Sequence, residues 1–331
     1  MKAKATVIIV TYNHKKYLEP CINSILKQDF HHEVIVVDNC SQDDSAQFII
    51  ENFPTVKLIE SPENKGYGAG NNLGVKHAKG EYVVILNPDT IVEDGWLRKL
   101  IKPIGNGNRI ITTPKILVYD GSAINTCGNI NHFTGLTFTR GFGKMLDTYS
   151  KQEHVSGFSG CCFAMRKEDF EELGGFDENF FAYNEDSDLS WRAHLKGFRI
   201  LYVPTSIVRH DYKLYVPPEK IYHLEKNRYL MLRKYLSWRE LLILLPSLGI
   251  AEILTWGYAV KNGWKGMMYK FKAIKDGLSI KVTKDGGDKR ILFKALSVRI
   301  PVDQLTVNKA EKMVKTLANK IFEWNFKVVV R

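Results

Sequence analysis

The protein has 331 residues, of which 44% are apolar and 25% charged, and its formal net charge is +11. This length predicts two domains or one large domain with an appendage, and the composition excludes a disordered chain, a collagen-like repeat and a mini-protein that depends on disulfides. Five cysteines without a CxxC pair, together with an N-terminal apolar run too short for a signal-peptide core, predict a cytosolic protein with reduced thiols.

The first 120 residues alternate between strand and helix patterns. Continuous apolar runs predict strands at Thr6–Val10, Glu33–Asp38, Val56–Glu60 and Tyr82–Leu86. Helical spacing predicts helices at Lys16–Gln28, Ser45–Asn52 and Gly70–Ala78. Such alternation predicts right-handed βαβ units and an open, mostly parallel α/β sheet with helices on both faces. Sheets of this kind bind ligands beyond the carboxyl ends of their strands.

The following region is less regular. It predicts helices at Glu168–Leu173 and Asp186–Lys196, then two short strands, Arg199–Val203 and Ile207–His210, on either side of Pro204. Beyond Pro217 a long helix over Glu219–Tyr235 begins a mainly helical region. We therefore expect a first domain at 1–215, divided into 1–110 and 111–215, and a second region at 216–331.

The C-terminal region is strongly basic. Residues 211–331 contain 24 Lys and Arg against 11 Asp and Glu, whereas the first 210 residues are nearly neutral. This asymmetry predicts a polyanionic partner, either nucleic acid or an anionic membrane surface. The segment Leu241–Val260 has one charged residue, Glu252, which favours the membrane. Basic residues on both sides fit a helix lying in the membrane plane better than a span, and a helix packed on the protein stays open as the alternative.

Polar side chains follow two of the predicted strands. Asp38 comes at the end of the second strand and could accept hydrogen bonds from a nucleobase or ribose. Asp89, in Asn87-Pro88-Asp89-Thr90, follows the fourth strand and could hold Mg²⁺ or Mn²⁺ against a diphosphate. Asn, Pro and Asp are also turn formers, so a plain turn remains open for each loop.

Three further features are candidates for chemistry. The glycine-rich stretch Asn64–Asn72 precedes a helix but matches neither a dinucleotide fingerprint nor a P-loop. Glu185, Asp186 and Asp188 begin a helix, where acids suit the helix dipole, and such a cluster can also supply a general base. His210 follows a short strand and by itself fits a structural role as well as a ligand.

Taken together, the motifs resemble one family. They occur in the order Val7-Ile-Ile-Val-Thr-Tyr-Asn13, Val36-Val-Asp-Asn39, Asn64-Lys-Gly66, Leu86-Asn-Pro-Asp-Thr90, Gly157-Phe-Ser-Gly160, Gly174-Gly-Phe-Asp177, Glu185-Asp186 and Val208-Arg-His210. This order, over about residues 4–212, resembles an inverting family 2 glycosyltransferase with a GT-A fold, in its rhamnosyltransferase-like branch. One departure is that the usual Asp-x-Asp metal motif is Asn87-x-Asp89 here.

The resemblance implies roles for individual residues. Residues implied to bind the nucleotide-sugar donor are Thr11, Tyr12, Asn13, Asp38, Asn64, Gly66, Asn71, Asn87 and Gly160. Asp89 and His210 are implied to hold Mg²⁺ or Mn²⁺. Asp186 is implied to be the general base, with Glu185 beside it. The division at residue 110 would then separate a donor-binding half from an acceptor-binding half.

The resemblance also implies partners. We expect a UDP-, GDP- or dTDP-linked sugar as donor and a glycan or lipid-linked acceptor, in an enzyme that is peripheral or monotopic at the cytoplasmic face of the cell membrane. We expect no nucleic acid partner, while a homo-oligomer stays open. The absence of a Gln-x-x-Arg-Trp segment favours transfer of a single sugar. A sugar-phosphate nucleotidyltransferase and a non-enzymatic membrane-binding module remain the alternatives.

Overall fold

A computed structural model describes residues 4–105 and 107–329. The chain forms two compact units: the first comprises Met1–Asn129 and Thr139–Tyr212, and the second comprises Ile130–Phe138 and Lys213–Arg331. The sequence predicts a boundary near 215, with the whole of 1–215 in one domain. The structure instead groups the short segment 130–138 with the C-terminal unit.

The first unit contains the predicted alternation of strands and helices. Its first half consists of β1 (Ala5–Thr11), α1 (Lys15–Leu26), β2 (His32–Asp38), α2 (Ser45–Asn52), β3 (Lys57–Glu60), α3 (Tyr67–His77), β4 (Tyr82–Leu86), β5 (Thr90–Val92) and α4 (Trp96–Ile101). The elements that follow are β6 (Ile110–Val118), β7 (Ile124–Thr126), β8 (Asn129–Asn131), β9 (Thr137–Thr139), β10 (Glu153–His154), β11 (Cys162–Arg166), α5 (Lys167–Leu173), α6 (Glu185–Leu195) and β12 (Arg199–His210). Two of the divisions between the units fall within β8 and β9.

Ten strands form one mixed sheet in the order β10-β12-β6-β11-β4-β1-β2-β3, with β5 paired to β12 and β7 paired to β6. Strands β1 to β4 are parallel to one another, as predicted, and β11 is antiparallel to both β4 and β6. Because β1, β2 and β4 are parallel neighbours, their carboxyl ends lie at one edge. Thr11 pairs with Asp38 in this register, and Ile9 pairs with Leu86.

The sheet is covered on both faces, which confirms the predicted layers. Alternate residues of β1 belong to hydrophobic cores on opposite faces of the sheet. Val7 and Ile9 pack with α1 and α4, whereas Ile8 packs with α3, α5 and α6. All of these strand residues are fully buried. Burial on both sides explains why the strands have continuous apolar sequences rather than alternating ones.

Two elements differ from the sequence prediction. Helix α3 begins at Tyr67 rather than Gly70, because Gly66 takes a left-handed φ of 87° and the Tyr67 amide donates to the Phe181 carbonyl oxygen. The two short strands predicted around Pro204 form a single strand, β12. An irregularity in register between Val203 and Ile207 accommodates the proline, so pairing with β6 resumes beyond it.

The second unit is mainly helical. Its helices are α7 (Pro218–Tyr235), α8 (Trp238–Ile243), α9 (Leu245–Lys261), α10 (Gly263–Ser279), α11 (Lys289–Ala295) and α12 (Lys309–Val329). The apolar segment predicted over Leu241–Val260 is therefore divided between α8 and α9. Across the described residues, no helix combines the length and the apolar character needed to cross a membrane.

A buried ion cluster connects helices of the second unit. Glu225 and Arg228 of α7 contact each other at 2.8 Å, and Lys270 of α10 contacts Glu252 of α9 at 3.0 Å. Lys270 also contacts Glu225, and Arg228 also contacts Glu252. Two acids and two bases balance one another here, which allows four charges to be removed from water together.

Candidate active site

The first polar group of the site lies where β1 and β2 end. Asp38 is 4% exposed, and its Oδ2 accepts a hydrogen bond from the Ser41 amide at 3.0 Å. Among the described residues, neither Asp38 Oδ1 nor the buried Thr11 Oγ1 has a hydrogen-bond partner. Buried polar atoms normally find partners, so two orphaned atoms at the carboxyl edge of a parallel sheet indicate a place for a polar ligand.

The loops after β1 and β2 are fastened to each other. Asn13 donates its amide to Ser41 Oγ at 3.0 Å, and its Oδ1 accepts from the Gln42 amide at 2.7 Å. The Asn13 side chain thus shapes the loops, while Tyr12, next to it, is 41% exposed. Both residues follow the end of β1, which pairs with the end of β2 where Asp38 is predicted to contact a nucleobase or ribose.

The glycine-rich loop is held to the same edge by Asn39. Asn64 Oδ1 accepts from Asn39 Nδ2 and from the Gly66 amide, both at 2.9 Å. Gly66 is required here, because any Cβ would overlap the carbonyl oxygen of Phe181 and its φ is left-handed. One turn into α3, Asn71 is fully buried, and its Oδ1 has no partner in the part of the chain that the structure describes.

Asp89 and His210, which are far apart in sequence, meet at the end of β4. Asp89 Oδ1 lies 3.3 Å from His210 Nε2, and the rings of His210 and Tyr212 stack at 5.6 Å. Burial acts to raise the pKa of Asp89, but the nearby His210 outweighs it and holds that pKa below its usual value. The structure therefore favours an ionised Asp89 next to the His210 ring, and carboxylate and His side chains are both groups that bind divalent cations.

The protein supplies few ligands at this point. Asn87 precedes Asp89 by two residues, and its backbone amide donates to the Cys161 carbonyl oxygen at 2.9 Å. Within residues 4–105 and 107–329, no group of three or more His, Cys, Asp or Glu side chains is arranged to hold a metal ion. Mg²⁺ is commonly bound by one or two protein carboxylates and completes its shell with substrate phosphates and water, so Asp89 fits such an ion as its one carboxylate ligand.

Asp186 lies at the start of α6 and accepts hydrogen bonds from three residues, Gly160, Asn129 and Ser187. Its Oδ2 accepts from the Gly160 amide at 2.9 Å and from Asn129 Nδ2 at 2.8 Å, and its Oδ1 accepts from the Ser187 amide at 2.8 Å. The Tyr67 hydroxyl donates to the carbonyl oxygen of Gly160 and so fixes the loop that carries this amide. Burial raises the pKa of Asp186 despite these donors. A raised pKa makes the carboxylate a better proton acceptor, which suits a general base.

The two neighbouring acids differ in their surroundings. Asp188 is fully buried and pairs with Arg192 Nη2 at 2.5 Å, and Arg192 also donates to the carbonyl oxygens of Leu173 and Gly175. Asp188 is therefore a structural acid. Glu185 is 7% exposed, and its Oε2 has no partner among the described residues. Burial first, and then the nearby Asp186 and Asp188, raise the pKa of Glu185.

Sequence reasoning missed three of these residues. Asn129 and Tyr67 contact the Asp186 site from other elements, and Asn39 fastens the glycine-rich loop. Asn39 could have been identified because it directly follows Asp38. Nothing in the local sequence connects Asn129 with α6, which begins 56 residues later. All five cysteines are free thiols, as expected of reduced cysteines, and four of them are buried.

Comparisons with known proteins agree with this geometry. Residues 6–174 match the description Glycosyl transferase family 2, and residues 140–216 match N-terminal domain of galactosyltransferase. The chain is 26% identical to rhamnosyltransferase WbbL of Escherichia coli over 254 residues, which is 71% of this chain and 95% of that protein. It is 28% identical to the N-acetylglucosaminyl-diphospho-decaprenol L-rhamnosyltransferase of Mycobacterium tuberculosis over 232 residues, 62% of this chain and 75% of that protein.

A solved structure, GalNAc-T7 with UDP, GalNAc and Mn²⁺, superposes on 84% of this chain with a TM-score of 0.60 and 19% identity. The chain spans 55% of that structure's length. The likeness confirms the predicted α/β fold with a helical C-terminal region. The sheet was predicted to be mostly parallel but is mixed, because β5, β7, β10 and β11 pair antiparallel with their neighbours.

Proposed function

Because the chain belongs to glycosyl transferase family 2 and is a glycosyltransferase, we propose that it moves one sugar from a nucleotide-sugar to an acceptor hydroxyl with inversion. The observation that carries this proposal is the Asp186 carboxylate, which the Gly160 amide and Asn129 hold in place. It stands in the same unit as the orphaned polar atoms of Thr11, Asp38 and Asn71.

The donor would bind along the carboxyl edge of the sheet. Asp38 Oδ1 would accept a hydrogen bond from the base or ribose, in a pocket closed by Tyr12 and Asn13. The loop from Asn64 to Gly66, with Asn71, would contact the ribose or diphosphate, and Gly160 would border the sugar. A ligand here would give partners to polar atoms that are buried without them, which is favourable because an unsatisfied buried polar group costs about 1–3 kcal/mol.

Asp89 and His210 would hold a Mg²⁺ or Mn²⁺ ion, with Asn87 beside them. When bound, such an ion supplies positive charge that stabilises the departing diphosphate. The two side chains would orient that charge, and their burial would exclude competing water. GalNAc-T7, which has a similar fold, was crystallised with Mn²⁺ and UDP, and this supports a divalent cation in this chain.

Asp186 would take the proton from the acceptor hydroxyl. The freed oxygen attacks the anomeric carbon from the face opposite the diphosphate, a new C–O bond forms, and the bond to the diphosphate oxygen breaks with its electron pair. The configuration at that carbon is thereby inverted. Glu185, adjacent to Asp186 and buried, would maintain the base's orientation or contact the acceptor.

The acceptor would be a lipid-linked glycan or a surface polysaccharide precursor. The name of the Mycobacterium tuberculosis relative states a decaprenol-linked acceptor, and this supports a lipid carrier here. We place the enzyme at the cytoplasmic face of the membrane as a peripheral protein, with residues 216–331 as the attached region. The excess of basic residues beyond 210 supports that assignment.

The test uses the full chain with UDP-, GDP- and dTDP-sugars, each with Mn²⁺ or Mg²⁺, and measures released nucleoside diphosphate and glycosylated acceptor. One donor class should react, and Asp186→Asn should lower the rate by about 10²–10⁴-fold while donor binding measured by calorimetry survives. Asp94→Asn, at an exposed carboxylate of the same unit, is the matched control. Release of pyrophosphate from a nucleoside triphosphate would favour a nucleotidyltransferase, and absence of any nucleotide binding would favour a non-enzymatic module.

A further inference from the structure

One side of α9 is apolar and exposed along its length. Leu245, Ile253 and Val260 are 62%, 64% and 57% exposed, and glycines at 249 and 257 occupy exposed positions between them. These positions recur at intervals of three or four residues, which places them on one side of a helix. The residues buried on α9 are Ser247, Ala251 and Ala259, so this helix packs through small side chains and exposes its large ones.

The apolar surface continues onto α10. Trp264, Met268 and Phe271 are 72%, 54% and 63% exposed and also follow helical spacing. The Phe271 ring contacts Trp256 of α9 with centroids 4.8 Å apart, so the exposed sides of the two helices are continuous at this point. We call Leu245, Ile253, Val260, Trp264, Met268 and Phe271 the hairpin face. An exposed apolar surface of this extent is typical of a binding site.

The exposed charged residues of the segment 238–280 are all basic, although Lys261 is paired with Glu311 of α12. In this segment, every residue of which is described, they are Arg239, Lys261, Lys265, Lys272 and Lys275. The three acids of this stretch are less exposed and each has a partner. Glu240 caps α8, Glu252 contacts Arg228 and Lys270, and Asp276 accepts from the Tyr222 hydroxyl at 2.7 Å. Glu252, which would oppose insertion of an isolated segment, is thus neutralised on the protein side.

From this arrangement we infer that the hairpin face is a docking surface for an anionic lipid bilayer, with α9 and α10 lying in the plane of the interface. The inference rests on the lipid-linked acceptor of the proposed function and adds which surface meets the lipid. Apolar side chains would enter the acyl boundary while Lys265, Lys272 and Lys275 meet the anionic headgroups. A second copy of this chain fits less well, because two identical basic surfaces repel each other.

The test is flotation of the full chain with vesicles of phosphatidylglycerol and phosphatidylcholine, compared with phosphatidylcholine alone, at low and high salt. The wild type should float with the anionic vesicles, and salt should weaken its binding. Ile253→Asp combined with Phe271→Asp should lower the partition coefficient at least tenfold. Both side chains are exposed, so the fold is retained and circular dichroism verifies it. Ile50→Asp combined with Met145→Asp adds the same charge at exposed apolar positions of the first unit and should leave binding unchanged.

Three results would overturn the inference: the wild type stays at the bottom of the gradient, both double variants float as it does, or binding is equal to neutral and anionic vesicles. Light scattering that finds a dimer which the Ile253→Asp, Phe271→Asp variant dissociates would identify a second copy as the occupant instead. Transfer to a water-soluble acceptor, measured in parallel, separates the two proposals. Transfer without flotation rejects the docking surface alone, and flotation without reaction of any nucleotide-sugar rejects the enzymatic role alone.

Discussion

Replacing Asn129 by Ala should shift the pH dependence of sugar transfer. Asn129 Nδ2 lies 2.8 Å from Asp186 Oδ2, and the Gly160 amide is the other donor to this oxygen. Hydrogen bonds stabilise the charged form of a carboxylate, so the loss of one donor raises the pKa of Asp186. A general base acts when it is deprotonated. The acidic limb of the profile must therefore move to higher pH.

The magnitude follows from the type of bond that is lost. A hydrogen bond to a charged group contributes about 1.5–3 kcal/mol, and about 1.36 kcal/mol corresponds to one pH unit. Asn129 is 7% exposed, so solvent replaces the lost donor poorly. We expect the acidic limb to shift by about 1–2 pH units. At pH values below the wild-type acidic limb the rate should fall by about 10–100-fold, and it should recover at high pH.

The assay is kcat/KM for transfer between pH 5 and 9.5, with donor binding measured separately by calorimetry. Asn52→Ala, at an exposed asparagine on α2, is the control and should leave the profile unchanged. Asn129→Asp should shift the limb further than Asn129→Ala, because it places a second carboxylate beside Asp186. If Asn129→Ala lowers the rate equally at every pH, Asn129 has only a structural role and the reasoning is refuted.

Three further predictions concern the metal, the buried acid and the glycine-rich loop. Asp89→Ala and His210→Ala should each raise the Mn²⁺ or Mg²⁺ concentration that gives half-maximal activity, and full wild-type activity in excess EDTA would contradict a metal role for both. Burial raises the pKa of Glu185 in the folded protein above its value in the unfolded chain. The stabilisation that the protonated side chain provides is therefore fully present at pH values below the pKa of the unfolded chain, and it is lost as the pH rises through the pKa of the folded protein. Thermal unfolding should therefore show Glu185→Gln stabilising the protein more at pH 9 than at pH 5, and an equal effect at both would count against a raised pKa. Gly66→Ala should cost more in urea unfolding than Gly197→Ala, because both have a left-handed φ, worth about 1–2 kcal/mol, but only the Gly66 Cβ would overlap a carbonyl oxygen. Equal costs for the two variants would show that the loop relaxes around the overlap.

The elements of the sheet could be predicted because their signals are local. Ser45–Asn52 and Tyr82–Leu86 have the predicted bounds, since helical spacing and a continuous buried run specify each segment within a few residues. The candidate residues Asp38, at the end of β2, and Asp89, in the loop after β4, could be predicted for a related reason. Parallel strands bring their carboxyl ends to one edge whatever else the chain does, so polar residues at those ends converge.

Other features depended on partners distant in sequence. The start of α3 moved to Tyr67 because its amide meets the Phe181 carbonyl, and β12 continued past Pro204 because β6 provides hydrogen bonds on the other side. In the same way, the apolar segment over Leu241–Val260 was evident from composition. Only packing separated its buried side from the hairpin face.

Local sequence was sufficient to predict the strands and helices of the sheet, the polar residues at its carboxyl edge, the acidic start of α6 and the basic C-terminal region, because hydrophobic periodicity, turn chemistry and charge are properties of neighbouring residues. The tertiary structure alone decided that Asn129 and Gly160 donate to Asp186, that His210 faces Asp89, and that Arg192 neutralises Asp188, while Glu185 Oε2 has no partner among the described residues. These relations set the protonation and orientation of the acids. They arise from burial and hydrogen bonds between side chains that only folding brings within a few ångströms.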